Sequence, residues 1–318
     1  MAPRVLISRP LPDTVIHRAH DLFDVELRSE TLPMTRDEMV HALMDFDGVM
    51  PTLGDLFNPD IFAAAPAPRA RILANFGVGY NHINVDAANA AGLVVTNTPG
   101  AVTDATADIA MTLILMSARR AAEGERLVRT GQWQGWHPTQ MLGLHVTGRK
   151  VGIVGMGRIG QAIAKRCHYG FGMEVLFHNR SPKTMDFPAM QVRSLTELAA
   201  QVDILVTAVP GGAATHHLIG PDVFSAMQPH AHFINIARGD VVDENALIHA
   251  IETNQIGGAG LDVYEFEPKV PQALIDNDKV TLLPHLGTAA LNVRTDMGMM
   301  VLDNLKAFFE GQTPPNAI

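Results

Sequence analysis

The chain has 318 residues with 47% hydrophobic and 18% charged content, enough for two globular domains with ordinary cores. Its net charge of −9 with no basic stripe argues against nucleic acid or anionic membrane as a partner, and leaves any anionic ligand to local cations. The single cysteine, Cys167, excludes an internal disulfide; beside Arg166 and His168 it is either an activated thiol or, as expected for a helix, a buried one. No run of 18 apolar residues is present and Met1-Ala-Pro-Arg leads straight into Val5-Leu-Ile7, so neither a signal peptide nor a membrane span is expected and the cytoplasm is the expected location.

From residue 4 to residue 100, short β-branched runs alternate with amphipathic segments. Strands are expected at Val5–Ser8, Val25–Leu27, Gly48–Met50, Ile72–Ala74 and Val94–Asn97, with helices at Thr14–His20, Arg36–Met44 and Val85–Ala91. Such alternation implies a parallel sheet with helices on its faces. Thr98-Pro-Gly100 punctuates the chain, and one long helical pattern is expected from Thr103 to about Thr130.

The stretch Lys150-Val-Gly-Ile-Val-Gly-Met-Gly-Arg-Ile-Gly160 is the most informative in the chain. A buried strand runs into Gly155, Gly157 and Gly160 at G-x-G-x-x-G spacing, and a helix begins at once. In a dinucleotide-binding turn the first glycine permits the tight turn, the second lets the backbone approach a pyrophosphate, and the third lets the helix pack closely. The N–H groups and positive end of the new helix then face the phosphates. Further strands are expected at Glu174–His178, Ile204–Ala208, His232–Asn235, Gly258–Asp262 and Val280–Leu283, with helices at Ser194–Ala200, Val223–Met227 and Glu244–Thr253. This is a second doubly wound sheet, whose ligands belong at the carboxyl ends of the strands. The last helix, Ala289 to about Glu310, is expected to fold back onto the first domain.

The strand after the glycine turn ends in His178-Asn179-Arg180-Ser181. An NAD-selective site places a carboxylate there for the ribose 2′-hydroxyl. Asn179 removes that repulsion, and Arg180 with Ser181 offers charge-assisted hydrogen bonds to a 2′-phosphate, so NADPH is expected in preference to NADH. Arg158, inside the turn, is a further candidate for a phosphate contact. At later strand ends stand Arg238, followed by Gly239, then Asp262-Val-Tyr-Glu265-Phe-Glu267-Pro268, then Pro284-His285-Leu-Gly287. Each alone has a structural explanation; together they occupy the positions where such a sheet presents its ligand crevice.

With the segments Asn75-Phe-Gly-Val-Gly-Tyr-Asn-His-Ile83, Ala105-Thr-Ala-Asp108 and Asn235-Ile-Ala-Arg-Gly239 added, the chain resembles, over essentially its whole length, the D-isomer-specific 2-hydroxyacid dehydrogenases. Within that family it is most similar to the NADPH-dependent glyoxylate and hydroxypyruvate reductases, whose second strand likewise lacks the acidic residue and carries arginine. The resemblance implies an α/β fold of two doubly wound parallel-sheet domains, with a Rossmann cofactor domain (100–287) inserted into a flavodoxin-like substrate-binding domain (1–99 and 288–318). It implies His285 as general acid, Glu267 as its hydrogen-bond partner, with Glu265 the competitor, and Arg238 as the residue that binds substrate and stabilises the developing alkoxide. Cofactor contacts fall to Gly155, Gly157, Arg158, Ile159, Gly160, Asn179, Arg180, Ser181, Asp262 and Gly287, with Asp262 holding the nicotinamide carboxamide. Substrate contacts fall to Arg238 and His285, to the backbone N–H groups of Val78 and Gly79, to Leu53, and to Trp136, whose segment in relatives reaches across a two-fold dimer. No metal is expected.

The loop Pro51-Thr-Leu53-Gly-Asp55-Leu56-Phe57 holds no lysine or arginine, which favours a small unphosphorylated 2-oxo acid; Leu53, Leu56 and Phe57 either narrow its pocket or are plain packing residues. The alternatives are a reductase of larger or sugar-derived 2-oxo acids and, in a different class, a cofactor-sensing corepressor. Corepressors of this fold carry extended tails, and this chain has neither a tail nor a basic region. Formate dehydrogenases are disfavoured because a glutamine is expected where Glu267 stands.

Overall fold

The structure is a computed structural model and describes residues 2–318. The chain divides into two compact units, Met1–Val102 with Thr288–Ile318, and Thr103–Gly287. The second is thus inserted into the first.

The first unit contains β1 (Arg4–Ile7), α1 (Asp13–Leu22), β2 (Asp24–Leu27), α2 (Arg36–Asp45), β3 (Gly48–Met50), α3 (Pro59–Ala64), β4 (Ile72–Ala74), α4 (Val85–Ala90) and β5 (Val94–Thr96). Its five strands are all parallel, in the order β2-β1-β3-β4-β5, with the reversal between β1 and β3 that marks a flavodoxin-like sheet. Alternate residues feed two cores, Leu6, Val49 and Leu73 on one face and Val5, Met50 and Ile72 on the other. Burial on both faces is why these strands read as continuous apolar runs. The C-terminal helix of the chain, Leu291–Phe309, packs in this unit against α1. Gly298 is required there, since a Cβ would lie 2.5 Å from Val15. Helix α3 was not among the sequence-based elements, although its Pro at the first turn is a start signal.

The second unit opens with α5 (Thr103–Ala118) and α6 (Ala121–Arg129), two helices where one was expected. The break has a physical cause: Leu144 N–H takes the Ala118 carbonyl at 2.7 Å, and Arg120 turns to φ 54°. Gly143 allows that approach, because a Cβ would stand 2.4 Å from the same oxygen. Then follow β6 (Lys150–Val154), α7 (Arg158–Lys165), β7 (Glu174–His178), β8 (Ala189–Gln191), α8 (Leu195–Gln201), β9 (Ile204–Thr207), α9 (Pro221–Ala226), β10 (His232–Asn235), α10 (Glu244–Glu252), β11 (Gly258–Leu261), α11 (Gln272–Ile275) and β12 (Val280–Leu282). The C-terminal helix of the first unit is accordingly α12. The seven strands are parallel, in the order β12-β11-β10-β9-β6-β7-β8, a Rossmann sheet whose reversal lies between β6 and β9. Ile204 and Val206 serve one core and Leu205 the other, so both faces are again covered. The chain therefore has two doubly wound parallel-sheet α/β units, one Rossmann and one flavodoxin-like.

Helix α7 ends in a π-turn, Arg166–Gly170, which carries Cys167. Its thiol is fully buried and pushed up to about 12 by that burial, so it packs and does not react. Among the described residues no helix is long and apolar enough to cross a membrane.

Candidate active site

The cofactor turn is built where β6 meets α7. Gly155 adopts φ 96°, and a Cβ on it would approach the Ala208 carbonyl at 2.7 Å. A Cβ on Gly160, in the first turn of α7, would lie 2.1 Å from the Gly155 carbonyl, so only glycine lets helix and turn meet. Gly157 differs: a Cβ there meets nothing within 4 Å. Its bare backbone faces open space at the start of α7, the cradle an anionic pyrophosphate requires. Arg158 is exposed in the first turn of the helix beside it, Ile159 is partly buried, and the residues fit a dinucleotide.

At the end of β7, Asn179 Oδ1 accepts the Met156 N–H at 3.1 Å, so the strand end is tied to the glycine turn. Its Nδ2 donates to the Ser181 carbonyl at 2.9 Å and approaches Ser181 Oγ at 3.2 Å. Gln191 of β8 donates to the carbonyls of Asn179 and Ser181 and so braces the same turn from the sheet edge. Arg180 is exposed and has no hydrogen bond or ion pair among the described residues. The turn thus presents one unspent guanidinium next to Asn179, the position where a carboxylate would stand in an NAD-selective site.

Three other strand ends converge within the same unit. His285, after β12, places Nδ1 2.9 Å from Glu267 Oε2, and Glu267 Oε1 accepts the Tyr264 N–H at 3.0 Å. Both carboxylate oxygens are therefore occupied, and the imidazole keeps Nε2 for another partner. Burial alone would raise the Glu267 carboxyl, but the His285 hydrogen bond and charge, the Tyr264 N–H and the Arg238 charge outweigh it and hold it below its ordinary value. Glu265 is not the partner of His285; His217 Nε2 engages it at 2.8 Å.

Asp262, at the end of β11, holds the histidine loop. Its carbonyl accepts the His285 N–H at 2.9 Å, and its carboxylate accepts the N–H groups of Leu286 and Gly287 at 2.6 and 2.8 Å. His285 itself sits at φ 55°, a strained conformation for a non-glycine residue, and these three bonds fix it. Burial pushes the Asp262 carboxyl up, against the effect of the two N–H donors. Thr106 Oγ1 donates to the Gly287 carbonyl at 3.2 Å from helix α5.

Arg238 follows β10 and donates from Nη1 to the Ala237 carbonyl at 2.7 Å. Burial draws its guanidinium below the usual arginine range, while Glu267 and Asp240 act in the opposite sense. Gly239 lets this turn reach the 262–268 loop, because a Cβ would fall 1.8 Å from the Tyr264 carbonyl carbon. That contact brings the Arg238 turn and the Glu267 loop together; nothing in the sequence indicated it beyond the glycine after the arginine.

In the first unit, the loop after β4 turns the carbonyls of Gly77, Val78 and Gly79 toward protein donors. Asn75 Nδ2 donates to Gly77 and Gly79 at 3.0 Å each, and Asn97 Nδ2 donates to Val78 at 2.8 Å. The Val78 and Gly79 N–H groups have no partner among the described residues and remain available to an anion. Asn97 was not singled out from the sequence; it lies 19 residues from the carbonyl it orients.

Leu53 and Leu56 are exposed, but Phe57 is fully buried against Phe62 and belongs to the core, so of its two readings the packing one holds. A cation does approach this loop. Arg9, just past β1, brings Nη2 to 3.7 Å from Asp55 Oδ1, where the buried carboxylate matches its charge. Trp136 is 79% exposed.

Residues 111–287 match the family model of the D-isomer specific 2-hydroxyacid dehydrogenase NAD-binding domain. The whole chain is 40% identical to the glyoxylate reductase of Thermococcus onnurineus and 41% identical to that of Thermococcus kodakarensis, over 96% of each relative. Among solved structures, an NADPH-dependent glyoxylate/hydroxypyruvate reductase from Sinorhizobium meliloti, in complex with NADP and malonate, superimposes with a TM-score of 0.89 at 36% identity, over 100% of this chain and 97% of that one. The chain belongs to the D-isomer-specific 2-hydroxyacid dehydrogenases, nicotinamide-dependent enzymes that interconvert 2-oxo and 2-hydroxy acids.

Proposed function

We propose that this chain reduces glyoxylate and hydroxypyruvate to glycolate and D-glycerate, with NADPH in preference to NADH. The observation that carries the reading is the His285–Glu267 pair, with Nδ1 engaged at 2.9 Å and Nε2 left for substrate. The reduced nicotinamide, when bound, supplies hydride to the carbonyl carbon. His285 gives a proton from Nε2 to the ketone oxygen, and Glu267 keeps the ring oriented through Nδ1. Arg238 offers a planar pair of donors to the substrate carboxylate and to the oxygen on which negative charge develops. The Val78 and Gly79 N–H groups are assigned to the substrate carboxylate, and the first unit to substrate binding. Exposed Leu53 is assigned to the wall of the substrate pocket.

Gly155, Gly157, Ile159 and Gly160 are assigned to the pyrophosphate, Asp262 and Gly287 to the nicotinamide end, and Asn179, Arg180, Ser181 and Arg158 to the 2′-phosphate. The unspent Arg180 guanidinium supports the NADPH preference. Val128, Trp133, Trp136 and Leu142 are exposed apolar side chains in one stretch, which supports a homodimer through this segment. The test is the initial rate with glyoxylate and with hydroxypyruvate, each with NADPH and NADH. Turnover of both acids with strong NADPH preference is expected. An NADH preference would overturn the cofactor assignment, and no turnover with either acid would overturn the substrate assignment.

A further inference from the structure

Outside the reacting groups, one cluster has the composition and convergence of a metal site. His216 and His217 are consecutive, and in regular backbone consecutive side chains diverge. Here His217 adopts φ 49°, with its N–H held by the Asp240 carbonyl at 2.8 Å, and the two rings stack at 4.0 Å with planes 26° apart. Facing them is Glu265, whose side chain is 12% exposed and whose Oε1 lies 2.8 Å from His217 Nε2. One ligand atom from each of the three residues falls within 4.8 Å of the other two.

We infer that His216, His217 and Glu265 form a binding site for a divalent transition metal of the zinc type. Metal–ligand bonds of about 2.0–2.2 Å place ligands roughly 3.3 Å apart in a tetrahedron. The His217–Glu265 pair is already near that spacing, and the exposed His216 ring closes the remainder by rotating its side chain. Two imidazoles and one carboxylate suit zinc and its neighbours better than calcium or magnesium, which want oxygen donors. Three protein ligands leave a fourth position for water. Local charge favours a cation too. Glu265 N–H donates to Glu244 Oε1 at 3.0 Å, which sets a second carboxylate against the ligand loop.

The site joins two segments that flank the reacting groups without using them. Glu265 is two residues from Glu267, and a Cβ on Gly211, at the start of the histidine loop, would lie 2.8 Å from Arg238 Cγ. A bound metal therefore clips the 211–217 loop to the 262–268 loop and stabilises the folded unit by mass action.

The probe is Zn2+ alone, titrated by calorimetry into tag-free, chelator-treated protein, with thermal unfolding recorded at each concentration. One Zn2+ per chain and a rise in Tm are expected. His216→Ala, an exposed residue that the fold does not need, should weaken binding at least tenfold, about 1.4 kcal/mol. His217→Ala and Glu265→Gln should abolish the saturable event, and His216→Ala should keep the metal-free rate of 2-oxo acid reduction. Absence of stoichiometric binding to the wild type overturns the site. Binding of equal strength in His216→Ala and Glu265→Gln does so as well, because the metal would then sit elsewhere.

Discussion

Asp262 and His285 are joined by backbone and side chain together. The Asp262 carbonyl takes the His285 N–H at 2.9 Å, and its carboxylate takes the next two N–H groups, of Leu286 and Gly287. One residue thus holds a histidine at φ 55° that would otherwise relax. In Asp262→Asn, one of the two N–H groups faces an amide nitrogen and loses its acceptor. The expected cost is about 1–3 kcal/mol of stability in urea unfolding, with a fall in kcat at saturating NADPH. Unchanged stability and kcat would remove the positioning role.

Arg238→Lys replaces a planar fork by a point charge and should lower kcat/KM for glyoxylate by roughly 10²–10³-fold. Steady-state kinetics on the variant decide this, and near-wild-type values would take Arg238 out of the site.

Arg180 has no partner among the described residues, so its removal should leave the fold intact. Arg180→Ala should raise KM for NADPH by roughly 10- to 100-fold, the worth of a charge-assisted hydrogen bond, and leave KM for NADH within about twofold. Equal effects on both cofactors would mean that the guanidinium does not meet the 2′-phosphate.

A pH dependence of stability follows from His232. It is buried, with Nδ1 2.8 Å from Ser117 Oγ, and burial lowers its pKa to about 4, with a smaller effect from His230. The unfolded chain, with an ordinary value near 6.5, binds the proton first, so stability is full above about pH 6.5 and falls as pH drops toward 4. The loss is on the order of 3 kcal/mol across that window. His232→Asn should be less stable at pH 7.5 but show a flatter dependence between pH 6.5 and 4.5 in urea titrations. An unaltered slope would assign the pH dependence to other groups.

Much of the sheet was legible because parallel strands are buried on both faces. Gly48–Met50, Ile72–Ala74, Glu174–His178 and His232–Asn235 lie where their apolar runs indicated. Strand β8 was not foreseen, since Ala189–Gln191 is an edge strand of mixed burial with no apolar run. Helix α11 has four residues, too few for a periodic signal. The division of α5 from α6 depends on Leu144 capping Ala118, a contact across 26 residues that no local pattern encodes. The same limit applied to the site. Arg238, Glu267 and His285 were readable as residue types at strand ends. The Asp262 clasp, the orientation of the 77–79 carbonyls by Asn75 and Asn97, and the pairing of His217 with Glu265 arise only from tertiary structure. Phe57 shows the converse: an aromatic residue in a loop, open to either reading from the sequence, fills the core and not a pocket.

The most direct test of the His285 assignment is His285→Ala, assayed for glyoxylate reduction alongside NADPH affinity by nucleotide fluorescence. General acid catalysis contributes roughly 10²–10⁴-fold, so kcat should fall by that much or more while the Kd for NADPH stays within about threefold. Turnover close to wild type, or a loss explained by weakened NADPH binding, would contradict the account.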